Sequence, residues 1–266
     1  MSGPPLYATP RQVESLADCD FYQSVDIPGH GFAGGEIDLR GREQAYLGHV
    51  AFSGQRVMEV GTASGVLAFH MERQGAEVVA VDLTDDLAWD VVPYAQIDHG
   101  RIIAERKQGI RRLNNSFWLC HAAFQSRVKV VYAHVYQLPR AIGPVDITTF
   151  CTVLVHLQNP FLALQQALSL TRRTVIITEF VWRPFWLPFL SSFVARPSQI
   201  FLPDHRRHHP WDTWWFLSPA VIRRYLGVLG FEKTRLRYHV QRYAGRRALC
   251  FTIVGERTRP LDHDAV

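Results

Sequence analysis

The sequence predicts an α/β fold, a mainly parallel sheet with helices on both faces and an antiparallel pair of strands at its end. Three observations predict it. Valine- and isoleucine-rich apolar runs alternate along the chain with segments whose apolar residues fall at helical spacing. Residues 55–83 form one strand–helix–strand unit of the length that a parallel crossover needs. The last two strand-like runs, FEKTRLRYHV and RRALCFTIVGE, are joined by QRYAG alone, which reads as a hairpin.

Taken in order, residues 1–20 read as a loosely ordered lead-in with one short helix. FYQSVDIPGHGFAGGEIDLRG, rich in glycine and aspartate, reads as loop, and EQAYLGHVAF as a short helix feeding a strand. QRVMEVG is a buried strand ending on glycine, SGVLAFHMERQG a helix closed by Gly75, and AEVVAVDL a second buried strand. RVKVVYAHVY supplies the third strand and its exit loop, and PVDITTFCTVLVH the fourth. The helix NPFLALQQALSL and the fifth strand, TRRTVIITEF, follow. SPAVIRRYLGVLG is a helix with Ser218 as N-cap and Pro219 at its first position.

Composition bounds the rest. A chain of 266 residues, 47% hydrophobic and 20% charged, is one elaborated globular domain rather than a disordered segment. It is long enough to bury a core without disulfides. Residues 1–50 are expected to be a segment that closes over a ligand. Residues 51–266 then form the main domain, interrupted by a mostly helical insert at 84–126 and an aromatic, basic insert at 182–215. The formal charge is +5, and only Lys107, Lys129 and Lys233 are lysines, an arginine bias that reflects genome composition. Four scattered cysteines without a CxxC pair point to buried thiols in a reducing, cytoplasmic setting. No apolar signal core opens the sequence, and no run of 18 or more apolar residues predicts a membrane span. The run EFVWRPFWLPFLSSFV is interrupted by Arg183, Pro184 and Pro188 and reads as a membrane-surface or substrate-lid segment at most.

The chemistry-bearing motif is Glu59-Val-Gly61-Thr62-Ala63-Ser64-Gly65, at the turn from the first strand into the first helix. Ligands of open α/β sheets bind beyond the carboxyl ends of the strands. Glycine lets the backbone approach such a ligand closely. The second strand ends on Asp82, where a carboxylate is placed to accept both hydroxyls of a ribose. A dinucleotide site would want G-x-G-x-x-G, and the middle glycine is missing; a P-loop would want GK[ST]. An acid two residues before the first glycine repels phosphate and suits a cation. Together these features favour S-adenosylmethionine (SAM).

On those residues the sequence resembles the class I SAM-dependent methyltransferases, whose Rossmann-like sheet has seven strands, the last pair an antiparallel hairpin. The pieces DIPGHGFAGGEIDL, FSGQRVMEVGTASGVLAFHMERQGAEVVAVDL, VYQLP, TVLVHLQNPFLAL and WWFLSPAVIRRYLGVLGFE extend the resemblance over nearly the whole chain. They look like the branch that includes the tRNA wobble-uridine (5-oxyacetate-pathway) methyltransferases. Departures from that branch are Val155 in place of a tyrosine, and Ala133-His134-Val135-Tyr136 where an acid often meets adenine. The resemblance implies a cofactor site of Glu59, Gly61, Thr62, Ala63, Ser64, Gly65, Asp82, Leu83, Val135, Tyr136, Cys151 and Thr152. Tyr136 would then stack on the adenine. SAM would be consumed to S-adenosylhomocysteine (SAH).

Methyl transfer needs alignment, a dry pocket and sometimes one general base. His156, at the exit of the fourth strand, is read either as that base or as a structural histidine capping the next helix. Cysteine and threonine at that exit, where metal-dependent relatives carry carboxylates, point away from a catalytic metal. The Asn159-Pro160-Phe161 run lacks the second proline of enzymes that methylate base or glutamine nitrogens. The cluster His205-Arg-Arg-His208-His209 reads as a basic loop before it reads as a zinc site. Candidate acceptor residues are Tyr22 and His30 in the lead-in, Trp118 and His121 on the 109–124 helix, and Trp214 and Trp215 in the aromatic insert. The aromatic insert, with Trp182, Trp186, Trp211 and Arg196, Arg206 and Arg207, would suit a flat or phosphorylated acceptor. The leading reading is transfer to oxygen of a small molecule. A tRNA methyltransferase and a catalytically silent cofactor-binding scaffold stand as alternatives. A dehydrogenase is the weakest, for want of the middle glycine.

Overall fold

A computed structural model describes residues 5–87, 89–95, 97–181 and 196–260. The lead-in read as loop holds three short strands. β1 (Val25–Ile27) and β2 (Gly31–Ala33) form a hairpin, and β3 (Ile37–Asp38) follows it. Val25, Ile27 and Ala33 turn inward, so the alternation was present but too short to stand out among the glycines. The one-turn helix α1 (Glu43–Tyr46) feeds a turn rather than the expected strand.

The remaining elements fall close to their predicted places. β4 (Arg56–Val60), α2 (Val66–Arg73) and β5 (Glu77–Asp82) make the first crossover unit. Then come α3 (His99–Ala123), β6 (Lys129–Tyr132) and β7 (Val145–Cys151). α4 (Pro160–Ser169) and β8 (Thr171–Phe180) complete the parallel part. In the aromatic insert, β9 (Gln199–Phe201) pairs antiparallel with β10 (Trp215–Leu217). Residues 182–195, with Trp182 and Trp186, lie outside the described residues. α5 (Pro219–Val228) starts on Ser218, whose hydroxyl accepts the Val221 N–H as the sequence predicts. β11 (Lys233–Tyr243) and β12 (Arg246–Glu256) close the sheet. Their turn is two residues, Ala244 at φ 46° and Gly245 at φ 73°, not the five of QRYAG. Positive φ at both positions matches the twist of a tight hairpin, and Gln241 to Tyr243 thereby join the strand.

The main sheet runs β3-β11-β12-β8-β7-β4-β5-β6. β6, β5, β4, β7 and β8 are parallel; β12, β11 and β3 are antiparallel to their neighbours. The sheet thus has eight strands where seven were expected, because β3 adds two residues to its edge at Arg242 and Tyr243. Its parallel strands are apolar on both sides, since one core cluster packs on each face. Leu67, Phe69 and Phe117 lie on one face, and Leu164, Leu168, Ile222 and Phe231 on the other. The strand order reverses at β4, between β5 and β7, which opens a crevice at their carboxyl ends. The four cysteines are buried and free. No helix among the described residues is long and apolar enough to cross a membrane.

Candidate functional site

The bend after β4 is shaped by what surrounds it. Gly61 has φ 75°, and a Cβ there would lie 2.5 Å from Val153 Cγ2, in the turn that leaves β7. Gly65 has φ 82°, and its Cβ would meet the rings of Phe69 and Phe117, each at 2.6 Å. Both positions require glycine, the first for the neighbouring strand's exit and the second for helix packing. Behind the bend, the Thr62 hydroxyl donates to Glu59 Oε2 at 2.6 Å, and the Ser64 hydroxyl donates to Gln23 Oε1 at 2.7 Å. Glu59 is buried, and burial pushes its carboxyl up to about 8 against the pull of the Thr62 hydrogen bond.

Asp82 ends β5 facing the bend. Its two oxygens accept the backbone N–H groups of Ala63 and Leu83, each at 2.7 Å. Burial raises its pKa, while those two amides pull it down. An ionised carboxylate has about four acceptor sites, so two remain for a ligand.

A cavity of about 850 Å³ opens over the carboxyl ends of β4, β5 and β7. Gly61, Ala63, Asp82, Leu83, Val135, Cys151, Thr152 and His156 line it, together with Tyr22 from the lead-in. The Tyr22 and Thr152 hydroxyls lie 3.3 Å apart. Glu59, Thr62, Ser64 and Gly65 do not line it: they brace the bend from behind. Tyr136 is also off the wall. Its hydroxyl donates to Asp90 and accepts the Asn159 N–H at 2.9 Å, which turns the ring away; His134, 4.7 Å from that ring, faces the cavity instead.

His156 is on the wall, and the helix-cap role falls to Asn159, whose Oδ1 accepts the Leu162 N–H at 3.0 Å. His156 Nδ1 lies 2.6 Å from the carbonyl oxygen of Asp212. A carbonyl only accepts, so Nδ1 carries the proton and Nε2 keeps its lone pair.

The other acceptor candidates are placed elsewhere. His30 is exposed in the β1–β2 turn. Trp118 is buried and donates to the Tyr132 hydroxyl at 2.9 Å, and His121 Nε2 donates to the Val128 carbonyl at 3.1 Å. Both pack α3 onto the sheet. Trp214 donates to the Asp90 carbonyl at 2.7 Å, and Trp215 to that of Gln158 at 3.1 Å; neither lines the cavity. Arg196, Arg206 and Arg207 do not line it either. No group of three metal-ligating side chains occurs among the described residues, the His205–His209 cluster included.

Trp211, named with the aromatic insert, is on the wall, and sequence reasoning missed Glu36, Trp89, Arg106, Asp212 and Tyr243, all on it as well. Arg106 pairs with Asp212 and lies 5.4 Å over the Trp89 ring. The Tyr243 hydroxyl donates to Glu36 Oε2 at 3.0 Å. For Arg106 a signal existed: Ile102, Arg106, Ile110 and Leu113 line one face of α3 at helical spacing. Among the described lining residues Arg106 is the one guanidinium, against the carboxylates of Asp20, Glu36, Asp82, Asp90, Glu105 and Asp212.

No family model matches the sequence, and no curated protein matches it. Solved structures do. The N-terminal domain of EvdMO1, solved in the presence of SAH and D-fucose, superposes with a TM-score of 0.54 at 18% identity, over 90% of this chain and 91% of that one. Magnesium protoporphyrin IX methyltransferase from Synechocystis PCC 6803, with bound SAH, gives 0.46 at 17% identity over 81% and 84%. The 1,6-didemethyltoxoflavin-N1-methyltransferase of Burkholderia thailandensis gives 0.48 at 16% identity over 83% and 78%. The first of these likenesses shows a shared fold, the Rossmann-like methyltransferase sheet.

Proposed function

We propose that this chain is a SAM-dependent methyltransferase acting on oxygen of a small molecule. The observation that carries the reading is the meeting of the Gly61 bend and the Asp82 carboxylate on one cavity wall. The residues fit the cofactor on two counts. The bend presents Gly61 and Ala63, without bulky side chains, to the cavity beside Asp82. Asp82 keeps acceptor capacity for a diol and a negative charge, which suits a cationic ligand better than a phosphorylated one. Gly61, Ala63, Asp82, Leu83, Val135 and Thr152 would hold it, with Tyr22 closing from the lead-in. When bound, SAM supplies a methyl group activated by its positive sulfur.

The chain's own work is alignment, exclusion of water and proton transfer. Tyr22, Trp89 and Trp211 wall the space against solvent. His156, with Nδ1 tied to Asp212, offers Nε2 to take the proton from an acceptor hydroxyl as the new oxygen–carbon bond forms. The carboxylates of the wall oppose a phosphate-bearing acceptor, which favours a small neutral or cationic molecule over tRNA. Cys151 and Thr152 at the exit of β7 support transfer without a metal.

Isothermal calorimetry tests the first half. SAM and SAH should bind in the micromolar range, and NAD should produce no heat and no thermal shift. Binding of NAD, or of neither SAM nor SAH, overturns the proposal. Mass spectrometry of the copurifying ligand and a screen of acceptors test the second half. Cofactor binding with no turnover across a broad panel would leave a silent scaffold. Steeply salt-dependent tRNA binding would favour the RNA enzyme.

A further inference from the structure

Behind the exit of β7 lies a carboxyl group that the proposed chemistry does not use. Glu179, next to last in β8, is 1% exposed and stands opposite Phe251 of β12. Its Oε1 accepts the backbone N–H of Leu154 at 3.0 Å, and the neighbouring backbone amides of Val153 and Val155 also favour its charged form. Oε2 is buried with no hydrogen-bond partner among the described residues. The titratable groups whose fields reach it are Cys151 on β7, Cys250 on β12 and Tyr22 of the lead-in. None of the three is a base, so none supplies a compensating positive charge, and burial pushes each of them up. Glu179 itself is pushed up to about 8 by burial, against the pull of the three amides. A half-satisfied carboxyl group in a sheet core is destabilising, and an apolar side chain would pack there at less cost.

The Leu154 amide that it holds belongs to one short turn. That turn follows Thr152, held at φ 58° with its N–H on the Thr178 carbonyl at 2.7 Å. It ends on His156. Val153 is the side chain pressed against Gly61, and the Val155 carbonyl accepts the backbone N–H of Trp214 at 2.8 Å, which ties the aromatic insert to the same turn.

We infer that Glu179 is a positioning residue: by holding the Leu154 amide it fixes the turn that sets Val153 against the glycine bend and His156 on the cavity wall. The placement of the turn stands on geometry alone, and its effect on ligand affinity rests on the function proposed above.

Glu179→Leu in the full chain tests this, because it removes the acceptor of the Leu154 amide and leaves an apolar side chain of similar size. Hydrogen exchange of the ligand-free protein should become about tenfold faster or more across 152–157, with β4 and β5 unchanged. SAH affinity should fall about tenfold, with circular dichroism and cooperative unfolding retained. Unchanged exchange, with affinity within twofold of wild type, overturns the inference. Should that variant fail to fold, the wild-type Leu154 amide decides. It should exchange as slowly as the amides of β8, and exchange at the rate of an exposed turn overturns the inference. If the wild-type chain binds no SAH, the proposed function falls, while exchange still judges the role of Glu179.

Discussion

Val153 packs directly onto Gly61, so closely that a Cβ on the glycine would lie 2.5 Å from Val153 Cγ2. The exit of β7 and the bend after β4 are therefore one structural unit. Gly61→Ala should be costly twice, through about 1–2 kcal/mol of left-handed backbone strain and through displacement of Val153. We expect a lowered thermal midpoint and at least tenfold weaker SAH binding by calorimetry. Adding Val153→Ala should recover part of the loss, because the clash goes and the strain stays. Strictly additive losses would show that the two residues act independently.

Asp82→Ala should weaken SAH binding by about 1.5–3 kcal/mol, the scale of a charge-assisted hydrogen bond. The variant also loses the acceptors for Ala63 and Leu83, so some stability goes with it. Affinity unchanged in a folded variant would mean that the ribose is held by other groups.

Glu59 gives stability a pH dependence of defined sign. Its carboxyl is pushed up to about 8 in the folded chain, against an unfolded value of about 4.3. The folded state binds the extra proton, so this contribution is full below about pH 4 and is lost as pH rises through 8. Denaturant unfolding between pH 5 and 8 should show stability falling as pH rises. Glu59→Gln should reduce that slope and leave the part of the same sign that Glu179 carries. A slope identical in the variant would show that Glu59 does not carry it.

His156→Ala should leave SAH affinity within about twofold of wild type, since the imidazole is tied to Asp212 rather than to the glycine bend. Turnover on an identified acceptor should fall by about 10²- to 10⁴-fold, the range for loss of a general base. Undiminished turnover would leave the proton to solvent or to the acceptor itself.

The part of the cavity proposed for the cofactor was legible because its signals are local. Gly61, Gly65 and the acid at the end of β5 lie within one crossover unit, where turn chemistry and strand length fix their neighbourhood. The rest of the cavity was not, because its walls come from segments far apart in the chain. Glu36 meets Tyr243, and Arg106 meets Asp212, through packing that no local pattern encodes. Tryptophans 214 and 215 were the natural choice from composition, but their indoles donate to the carbonyls of Asp90 and Gln158, and Trp211 is on the wall instead. Tyr136 failed for a related reason: Asp90, an unremarked loop acid, captures its hydroxyl. Glu179 left no motif at all, because its partners are backbone amides.

The hydrogen bond between Glu36 and Tyr243 spans 207 residues of sequence. A chain emerging from the ribosome can pair β4, β5 and β7 before the terminal hairpin has been made. The chamber they support has no complete rim until residue 243 is free to dock on the lead-in. A product cut short before the hairpin would possess the glycine bend and Asp82 but lack Tyr243 and its hold on Glu36.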